Sequence, residues 1–434
     1  MNKKLMAVAV AGALAAPGLA VAQVGGSPGV TLYGRLDSAI MNNTFSATTG
    51  GVVSEVKKGD IFSAGNAMGV RGREDLGGGT AVWFQLETGV FPDGRQDPAV
   101  SVGNNWGGRN SGLGVSSTWG DVMYGVWDAP YGVAAGTANV INSGPFSSTG
   151  IIMGNGNTTG ALPNARCTAA LSIPSGSVNT TANNVCTTEV TGGTTQFNRR
   201  NSNSVQYWSP VINGLQFRLG TAVANYQSPG TAQGAAGLQK PQYLSGNVTW
   251  ARGPLALALG YETHEGFRPS TVAGGNANPK DTGFQLGVKW NFGPGQVGVG
   301  YETLDYGANN AAGDNGVKLT NQVINGRWNL GPGALWAGLS STPGGKSCTV
   351  GAAGLAVVCG SAGEAKMTAI GYDYVMSKRT KMYFAYAKID NGTGSAYYYV
   401  AGPAGNNPSG GGTAGGILAS TDVTTLAFGI QHTF

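Results

Sequence analysis

Arginine and lysine side chains recur on the polar faces of segments in which apolar and polar residues alternate. If each segment is a β-strand, residues two apart share a face, and charged residues gather opposite the apolar ones. The basic candidates are Arg35, Arg71, Arg73, Arg200, Arg218, Lys289 and Arg327, and the acidic candidates are Asp37, Glu87, Glu262, Glu302 and Asp373. A guanidinium group stays charged and contacts carboxylate or phosphate through a planar fork, so an arginine-rich face attracts anions.

The sequence gives little support for a catalytic function. The two histidines are His264, at a predicted strand end, and His432, on the outer face of the last strand; neither has an evident nucleophile as its partner. A Ser/His/Asp esterase or phospholipase is therefore the weaker alternative, and we predict that the protein is not an enzyme. Residues 293–298 match G-x-G-x-x-G but continue into strand alternation, which favours a turn over a dinucleotide-binding loop.

Other ligand classes are also disfavoured. Glu74 and Asp75 are more typical of a turn than of a metal site. The chain lacks the basic surface with interleaved aromatic residues that nucleic-acid binding uses. We therefore expect no cofactor, no metal and no nucleic-acid partner.

The first 22 residues have the composition of a secretory signal peptide. Lys3 and Lys4 precede an apolar stretch, and small residues at Ala20 and Ala22 suit cleavage before Gln23. A single membrane-anchoring helix is the alternative, but the small-residue site and the short apolar run disfavour it. We predict that residues 1–22 are removed and that residues 23–434 form one domain.

The composition of the remaining chain favours a membrane β-barrel. Charged residues make up 11% of the chain, compared with roughly 25% in an ordinary soluble domain. No segment after Ala22 approaches the roughly 20 consecutive apolar residues that a spanning helix needs. Segments such as residues 284–292 instead alternate apolar with polar side chains, as strands with one lipid-facing side do. The 75 glycines suggest a flexible linker, but the regular phasing of the apolar residues argues against disorder.

Short and long connections alternate along the chain. Seven short segments have the composition of tight turns: residues 74–79, 119–121, 210–214, 252–254, 293–295, 330–333 and 377–380. Eight longer stretches are rich in Gly, Asn, Ser and Thr: residues 42–60, 92–108, 128–199, 227–240, 265–281, 307–315, 342–363 and 391–421. This alternation predicts an all-β fold, a transmembrane antiparallel barrel of sixteen strands with short periplasmic turns and long external loops.

The last predicted strand ends on an aromatic residue. Leu426, Phe428, Ile430, His432 and Phe434 share one face of the final segment. Termini of soluble proteins tend to be frayed and polar, whereas an aromatic terminus on an alternating strand fits a closed membrane barrel. We predict that Phe434 is an assembly signal.

Several motifs together resemble one known family. They are V-T-L-Y-G-R-L-D at residues 30–37, G-V-R-G-R-E-D-L-G-G-G at 69–79, N-S-V-Q-Y-W-S-P at 203–210, Y-x-Y-x-x-S-K-R-T at 372–380 and G-I-Q-H-T-F at 429–434. In this order they resemble the general diffusion porins of Gram-negative outer membranes. The resemblance implies a sixteen-stranded barrel in the bacterial outer membrane, usually a homotrimer, surrounded by lipid bilayer and lipopolysaccharide. It also implies that the third external loop, residues 128–199, folds inward and narrows the channel.

The same resemblance suggests which charges select ions. A basic wall would face the third loop, and Arg35, Arg71 and Arg200 are its first candidates because they lie in or beside the matching motifs. Rings of Arg or Lys favour anions in a pore. The alternative is that such arginines lie at the rims and contact lipid headgroups or solvent.

The third loop itself is weakly charged. Between Ala129 and Gln196 its acidic residue is Glu189, so a modest anion preference is expected. The family often has an arginine at the end of the fifth strand, where this chain has Gly125-Val126-Trp127. One candidate charge is therefore missing from the predicted wall.

Four cysteines lie in pairs within two predicted external loops. Cys167 and Cys186 belong to the third loop, and Cys348 and Cys359 belong to the seventh. Export to an oxidising compartment favours a disulfide within each loop. A four-thiolate metal site is the alternative, but it requires two distant loops to meet and lacks C-x-x-C spacing. We predict two disulfides.

The function predicted from these features is passive diffusion of small hydrophilic solutes and ions through a water-filled barrel. One alternative is a solute-selective channel, in which the long third loop binds one class of solute such as an organic acid. Another is a surface adhesin or a purely structural barrel without transport.

Overall fold

The computed structural model describes twelve parts of the chain. They are residues 29–49, 52–63, 65–92, 106–153, 197, 200–222, 242–265, 280–306, 317–343, 364–392, 397 and 421–434. The four cysteines and the predicted signal peptide lie outside these residues, so the disulfides and the cleavage stay predictions.

Seventeen β-strands make up most of the described residues. The alternation of side chains with a period of two explains them, because it places apolar residues on one face of each strand. Their bounds are β1 Gly29–Thr49, β2 Val52–Ser63, β3 Ala67–Gly77, β4 Thr80–Gly89, β5 Ser111–Ser117, β6 Gly120–Asp128, β7 Arg200–Trp208, β8 Leu215–Ala222, β9 Gln242–Arg252, β10 Leu255–Glu265, β11 Lys280–Asn291, β12 Gly295–Tyr306, β13 Val317–Leu330, β14 Gly333–Pro343, β15 Glu364–Val375, β16 Thr380–Asn391 and β17 Thr421–Thr433.

The strands form one antiparallel sheet that closes on itself. β1 pairs with β17 from Arg35 opposite Thr433 to Ala47 opposite Thr421. Gly34 and Phe434 extend this seam, since each backbone N–H donates to the other residue's carbonyl at 3.0 Å. Closure pairs the two edges that an open sheet would expose to lipid.

Two of the strands share a single position in the barrel. β3 pairs with the first part of β1, from Gly29 to Arg35, and β2 pairs with the remainder, from Ser38 to Thr49. Between them the Asn66 side chain accepts the N–H of Asp37 at 2.5 Å, in place of a backbone carbonyl. Seventeen strands therefore occupy sixteen positions, and the predicted sixteen-stranded barrel is confirmed.

The predicted connections are largely confirmed at the turns and wrong at one loop. All seven predicted short turns join consecutive strands. At the turn between β7 and β8, Asn213 and Gly214 have φ of 53° and 85°, the left-handed backbone that Asn and Gly adopt most readily. The prediction of a loop over residues 42–60 is wrong, because β1 and β2 stay paired as far as Thr49 opposite Val52.

The two faces of the barrel differ in chemistry. Leu259, Ile324 and Phe428 point outward and are 45%, 52% and 49% exposed. Gln285 and Thr425 point inward and are fully buried. A soluble protein rarely exposes so continuous an apolar surface, so the outer face fits contact with lipid. On β17 the outward face holds the predicted residues Leu426, Phe428, Ile430 and His432, which confirms the register predicted for the last strand.

The connection after β6 begins inside the barrel. Pro130–Gly132 forms a 3-10 turn, followed by helix α1 Val133–Ala138 and helix α2 Ser148–Ile152. We call residues 129–153 the inner segment, because its atoms contact the polar inner face of the strands. In the described parts of the chain, no helix is long and apolar enough to cross a membrane.

Candidate functional site: the charged inner wall

Strand register places most of the predicted charged residues on the inner face. Arg35 and Asp37 alternate with outward residues of β1, and Arg71 and Arg73 do so on β3. The other predicted residues whose neighbours in the strand point outward are Glu87, Arg218, Lys289 and Arg327. Arg218 and Lys289 are each only 7% exposed, so their charges lie within the wall rather than at its surface.

Polar side chains of the wall hold the backbone of the inner segment. The N–H of Tyr131 donates to Ser245 Oγ at 2.8 Å. Asn325 makes two hydrogen bonds to the segment. Its Nδ2 donates to the Ala138 carbonyl at 2.9 Å, and its Oδ1 accepts the N–H of Val140 at 2.7 Å. These bonds satisfy backbone groups that would otherwise be buried without partners. The first part of the segment, residues 131–140, is thereby fixed to β9 and β13.

Asp373 of β15 anchors the loop tip, which we define as residues 142–144 of the inner segment. Its Oδ1 accepts from Ser143 Oγ at 2.6 Å. Its Oδ2 forms ion pairs with Arg327 at 2.6 Å and Lys381 at 3.1 Å. The carboxylate is fully buried, while 19% of the Arg327 side chain and 13% of the Lys381 side chain stay exposed. The anchor therefore buries its negative charge more completely than its positive charges.

Asp37 of β1 anchors the other side of the loop tip. Its Oδ2 accepts the N–H of Gly144 at 3.2 Å and the Gln431 amide at 2.8 Å, and pairs with Arg35 at 2.7 Å. Its Oδ1 accepts from Tyr383 Oη at 2.7 Å. The carboxylate is fully buried, so donors from three strands and the loop tip replace its water. Arg35 is the half of this ion pair that keeps 29% of its side chain exposed, and its pore-lining role stays a prediction.

Two further acids of the wall are fully buried. Glu302 accepts from Tyr131 Oη of the inner segment at 2.7 Å, and Glu262 lies 2.7 Å from His264 Nε2. Both carboxylates and the imidazole have no exposed area. The inner segment adds no charge of its own, because residues 129–153 contain no Asp, Glu, Lys, Arg or His.

The wall of β3 and β4 carries arginines on the same inner face. The Arg71 guanidinium lies over the Tyr33 ring, 5.1 Å from its centroid, and Tyr33 Oη donates to Glu87 at 3.0 Å. Arg109 pairs with the other oxygen of Glu87 at 2.8 Å. Within the described parts of the chain, neither Arg71 nor Arg73 forms an ion pair. Both guanidinium groups keep partial exposure, unlike the buried basic side chains of Arg218 and Lys289.

Arg200 lies at an irregular part of the wall. It begins β7, where it pairs with Asp128 at 3.0 Å and donates to Asn110 at 2.9 Å. The pairing of β6 with β7 shifts beside Trp127, and Asn203 has a φ of 52°. Because this irregularity breaks the alternation of side chains, parity does not establish which face Arg200 occupies, and its pore-lining position stays a prediction.

Three tryptophans form a cluster on the inner face that the sequence did not reveal. Trp83, Trp127 and Trp208 have ring centroids 5.5 to 6.0 Å apart, and the Arg218 guanidinium lies 4.9 Å from the Trp208 centroid. Trp127 belongs to the Gly125-Val126-Trp127 segment in which an arginine was missing. An indole ring therefore fills space where the resemblance suggested a charge. The parity of Trp83 with Glu87 on β4 was the signal for its inward position.

Two basic residues of the wall were missed altogether. Lys381 binds Asp373 and the loop tip, and Arg109 binds Glu87. Lys381 shares the parity of Tyr383, which could have identified it, whereas Arg109 lies outside any strand and gives no parity signal. Among the described residues, no group of three or more His, Cys, Asp or Glu side chains could hold a metal ion.

The protein is a closed antiparallel barrel. Its outer face is apolar, its inner face is polar, and a segment folds against the inner wall. These features define a membrane-spanning β-barrel with a polar lumen. A family model described as Gram-negative porin matches residues 7–394. The chain belongs to this family, as the sequence motifs predicted, and its location is the bacterial outer membrane.

Similar proteins agree with this assignment. The major outer membrane protein P.IB of Neisseria gonorrhoeae is 30% identical over 130 residues, which are 30% of this chain and 35% of that protein. Outer membrane porin protein 32 of Delftia acidovorans is 28% identical over 282 residues, which are 65% of this chain and 64% of that protein. In these alignments the chain spans less than two thirds of each relative's length.

A solved structure shares the fold over almost its whole length. The anion-selective porin from Comamonas acidovorans covers 94% of this chain and 99% of its own, with a TM-score of 0.61. Its sequence is 21% identical, so the likeness shows the fold.

Proposed function

We propose that the protein is a channel for passive diffusion of small hydrophilic solutes and ions, with a modest preference for anions. The observation that carries the proposal is the unequal burial of charge on the inner wall. The carboxylates of Asp37, Glu262, Glu302 and Asp373 are fully buried. Arg71 and Arg73 keep partial exposure and form no ion pair with described residues. Accessible positive charge in a lumen raises the local concentration of anions.

The preference is modest because some acids stay accessible. Asp128 is 54% exposed beside Arg200, and Glu87 is 13% exposed beside Arg109. Exposed pairs of this kind compensate each other and are screened by salt over about 10 Å at 0.1 M. The bias therefore depends on the arginines without a carboxylate partner.

Transport in this proposal needs neither a cofactor nor catalysis. Solutes move down their own gradients, and the inner segment narrows the route. The anion-selective porin from Comamonas acidovorans, which shares the fold, supports this proposal. A surface adhesin would instead show no conductance in a planar bilayer, which separates the two functions.

Replacing both uncompensated arginines tests the proposal. In the variant with Arg71→Gln and Arg73→Gln, we expect the reversal potential in a KCl gradient to move toward the potassium equilibrium value. The reason is that two accessible positive charges leave the wall while the buried pairs stay intact. Single-channel recording in planar bilayers measures the shift.

The matched control is Arg379→Gln, because Arg379 lies in the exposed turn between β15 and β16 and outside the inner wall. It should leave the reversal potential of the unmodified protein unchanged. An unshifted potential in the double variant, with normal barrel formation, would contradict the proposed selectivity.

We also propose that the protein forms a homotrimer in contact with lipid bilayer and lipopolysaccharide. The apolar outer face supports contacts with lipid and with further copies. Electrophoresis in SDS without heating should then show a species of about three times the monomer mass, which heating converts to the monomer. A single monomeric band in native detergent extracts would oppose the trimer. The assembly role of Phe434 stays a prediction.

A further inference from the structure

Glycines on neighbouring strands lie directly beneath the backbone of helix α1. A Cβ atom at Gly287 of β11 would overlap the carbonyl oxygen of Ala134. A Cβ atom at Gly298 of β12 would overlap the carbonyl oxygen of Ala138. At these two points the helix lies against the wall backbone itself, with no side chain between them.

Two more glycines extend this contact along the inner segment. A Cβ atom at Gly260 of β10 would lie 2.5 Å from the Tyr131 carbonyl oxygen, and one at Gly300 of β12 would lie 2.7 Å from Met153 Sδ. We call Gly260, Gly287, Gly298 and Gly300 the glycine seat. None of the four has a positive φ, so the close approach and not the backbone conformation requires glycine.

Hydrogen bonds keep the helix in contact with the seat. Asn325, opposite Gly298 on the next strand, donates to the same Ala138 carbonyl at 2.9 Å. Gln285, two residues before Gly287, accepts the N–H of Ala135 at 3.2 Å. A Cβ atom at Gly136 of α1 would meet no heavy atom of the described residues within 4 Å. The helix is therefore held between the wall and open space.

We propose that the glycine seat sets how far the inner segment projects into the lumen, and through this the upper size of the solutes that pass. The inference rests on the proposed channel function. A methyl group at the seat needs a carbon-to-oxygen separation near the van der Waals distance of roughly 3.5 Å. The helix must then move away from the wall by on the order of 1 Å or more, and the open side is the lumen.

The test uses Gly287→Ala, Gly298→Ala and the double variant. Single-channel conductance and liposome swelling with neutral sugars of increasing size measure the channel. We expect a lower conductance and a smaller size limit in each single variant and a larger loss in the double variant. Because no charge changes, the sign of the ion selectivity should stay that of the unmodified protein.

The matched control is Gly326→Ala on β13. A Cβ atom there would have its nearest neighbour, the Gln296 carbonyl oxygen, at 3.8 Å, which is an ordinary contact. This variant should conduct like the unmodified protein. It separates the loss of a glycine in a strand from displacement of the inner segment.

A second pair of variants, Gly300→Ala alone and Gly300→Ala combined with Met153→Ala, keeps the inference testable if the first variants do not fold. Gly300→Ala displaces a flexible thioether rather than a carbonyl, so a milder reduction in conductance is expected. Adding Met153→Ala removes the obstructing side chain and should restore the conductance.

Two negative results have different meanings. If the variants form barrels with the size limit of the unmodified protein, or if Met153→Ala restores nothing, the glycine seat does not set the size limit. If the unmodified protein itself admits neither ions nor sugars, the channel function is wrong and the seat has only a structural role.

Discussion

At the scale of single residues, two buried aspartates combine anchoring of the loop tip with control of charge. Asp37 accepts from Gly144, and Asp373 accepts from Ser143, while each carboxylate also pairs with basic side chains. Removing one member of a buried ion pair is costly because the other charge stays behind without compensation. These aspartates therefore affect the position of the loop tip as well as the charge of the wall.

The substitution Asp373→Asn tests this dual role. It leaves Arg327 and Lys381 without their shared carboxylate, and we expect roughly 3 to 5 kcal/mol of local destabilisation. The loop tip should become mobile, so single-channel currents should be noisier and the anion preference stronger. Recording at fixed voltage measures the noise, and reversal potentials measure the preference.

A surface aspartate provides the control for this variant. Asp390 pairs with Lys388 on β16, and 49% of its side chain is exposed. Because exposed ion pairs contribute little to stability, Asp390→Asn should show the same current noise and the same reversal potential as the unmodified protein. Quiet currents and an unchanged preference in Asp373→Asn would show that the anchor has no such role.

Part of this site could be predicted from the sequence. Parity predicts that Arg35, Asp37 and Arg71 face inward, because alternation is a local property of a strand. The pairing of Ser143 with Asp373 could not be predicted, since the two residues are 230 positions apart and meet only when the barrel closes. Burial of the acids likewise depends on where the inner segment lies.

At the scale of elements, turns were easier to predict than loop ends. Short turns carry Gly, Pro, Asn and Asp for backbone reasons that sequence reveals directly, and all seven are observed. Residues 42–60 have the polar composition of a loop, yet residues 42–49 and 52–60 form the paired ends of β1 and β2. Backbone hydrogen bonds do not require apolar side chains, so composition alone did not reveal this extension.

The outward faces of the strands predict a response that depends on depth. Leu259 lies in the middle of β10 and is 45% exposed, whereas Leu330 ends β13 at a turn and is 54% exposed. We expect Leu259→Arg to lower the free energy of unfolding by about 2 to 4 kcal/mol, the cost of an arginine at the bilayer midplane. Urea unfolding in lipid vesicles measures it.

The same substitution near the rim is the matched control. Leu330→Arg should lower the free energy of unfolding by only about 0 to 1 kcal/mol, because its charge reaches the membrane–water interface. Equal costs at both positions would contradict the assignment of the outer face to the lipid core.

At the scale of the whole molecule, closure of the sheet gives the barrel an apolar outer surface and a polar inner surface. The seam between β1 and β17 brings together residues from opposite ends of the chain, and Gly34 and Phe434 complete it. The sequence predicted the number of strands from the order of short turns and long loops, and the terminal strand from the alternation of its side chains. It could not predict the glycine seat or the buried acids, which depend on how the inner segment packs within the closed barrel.

The most direct test of the central claim is the reversal potential of the unmodified protein in a planar bilayer under a KCl gradient. A lumen with four fully buried carboxylates and with two partly exposed arginines, Arg71 and Arg73, predicts stepwise conductance and a potential displaced toward the chloride equilibrium value. Absence of conductance, or a potential displaced toward the potassium equilibrium value, would contradict the account.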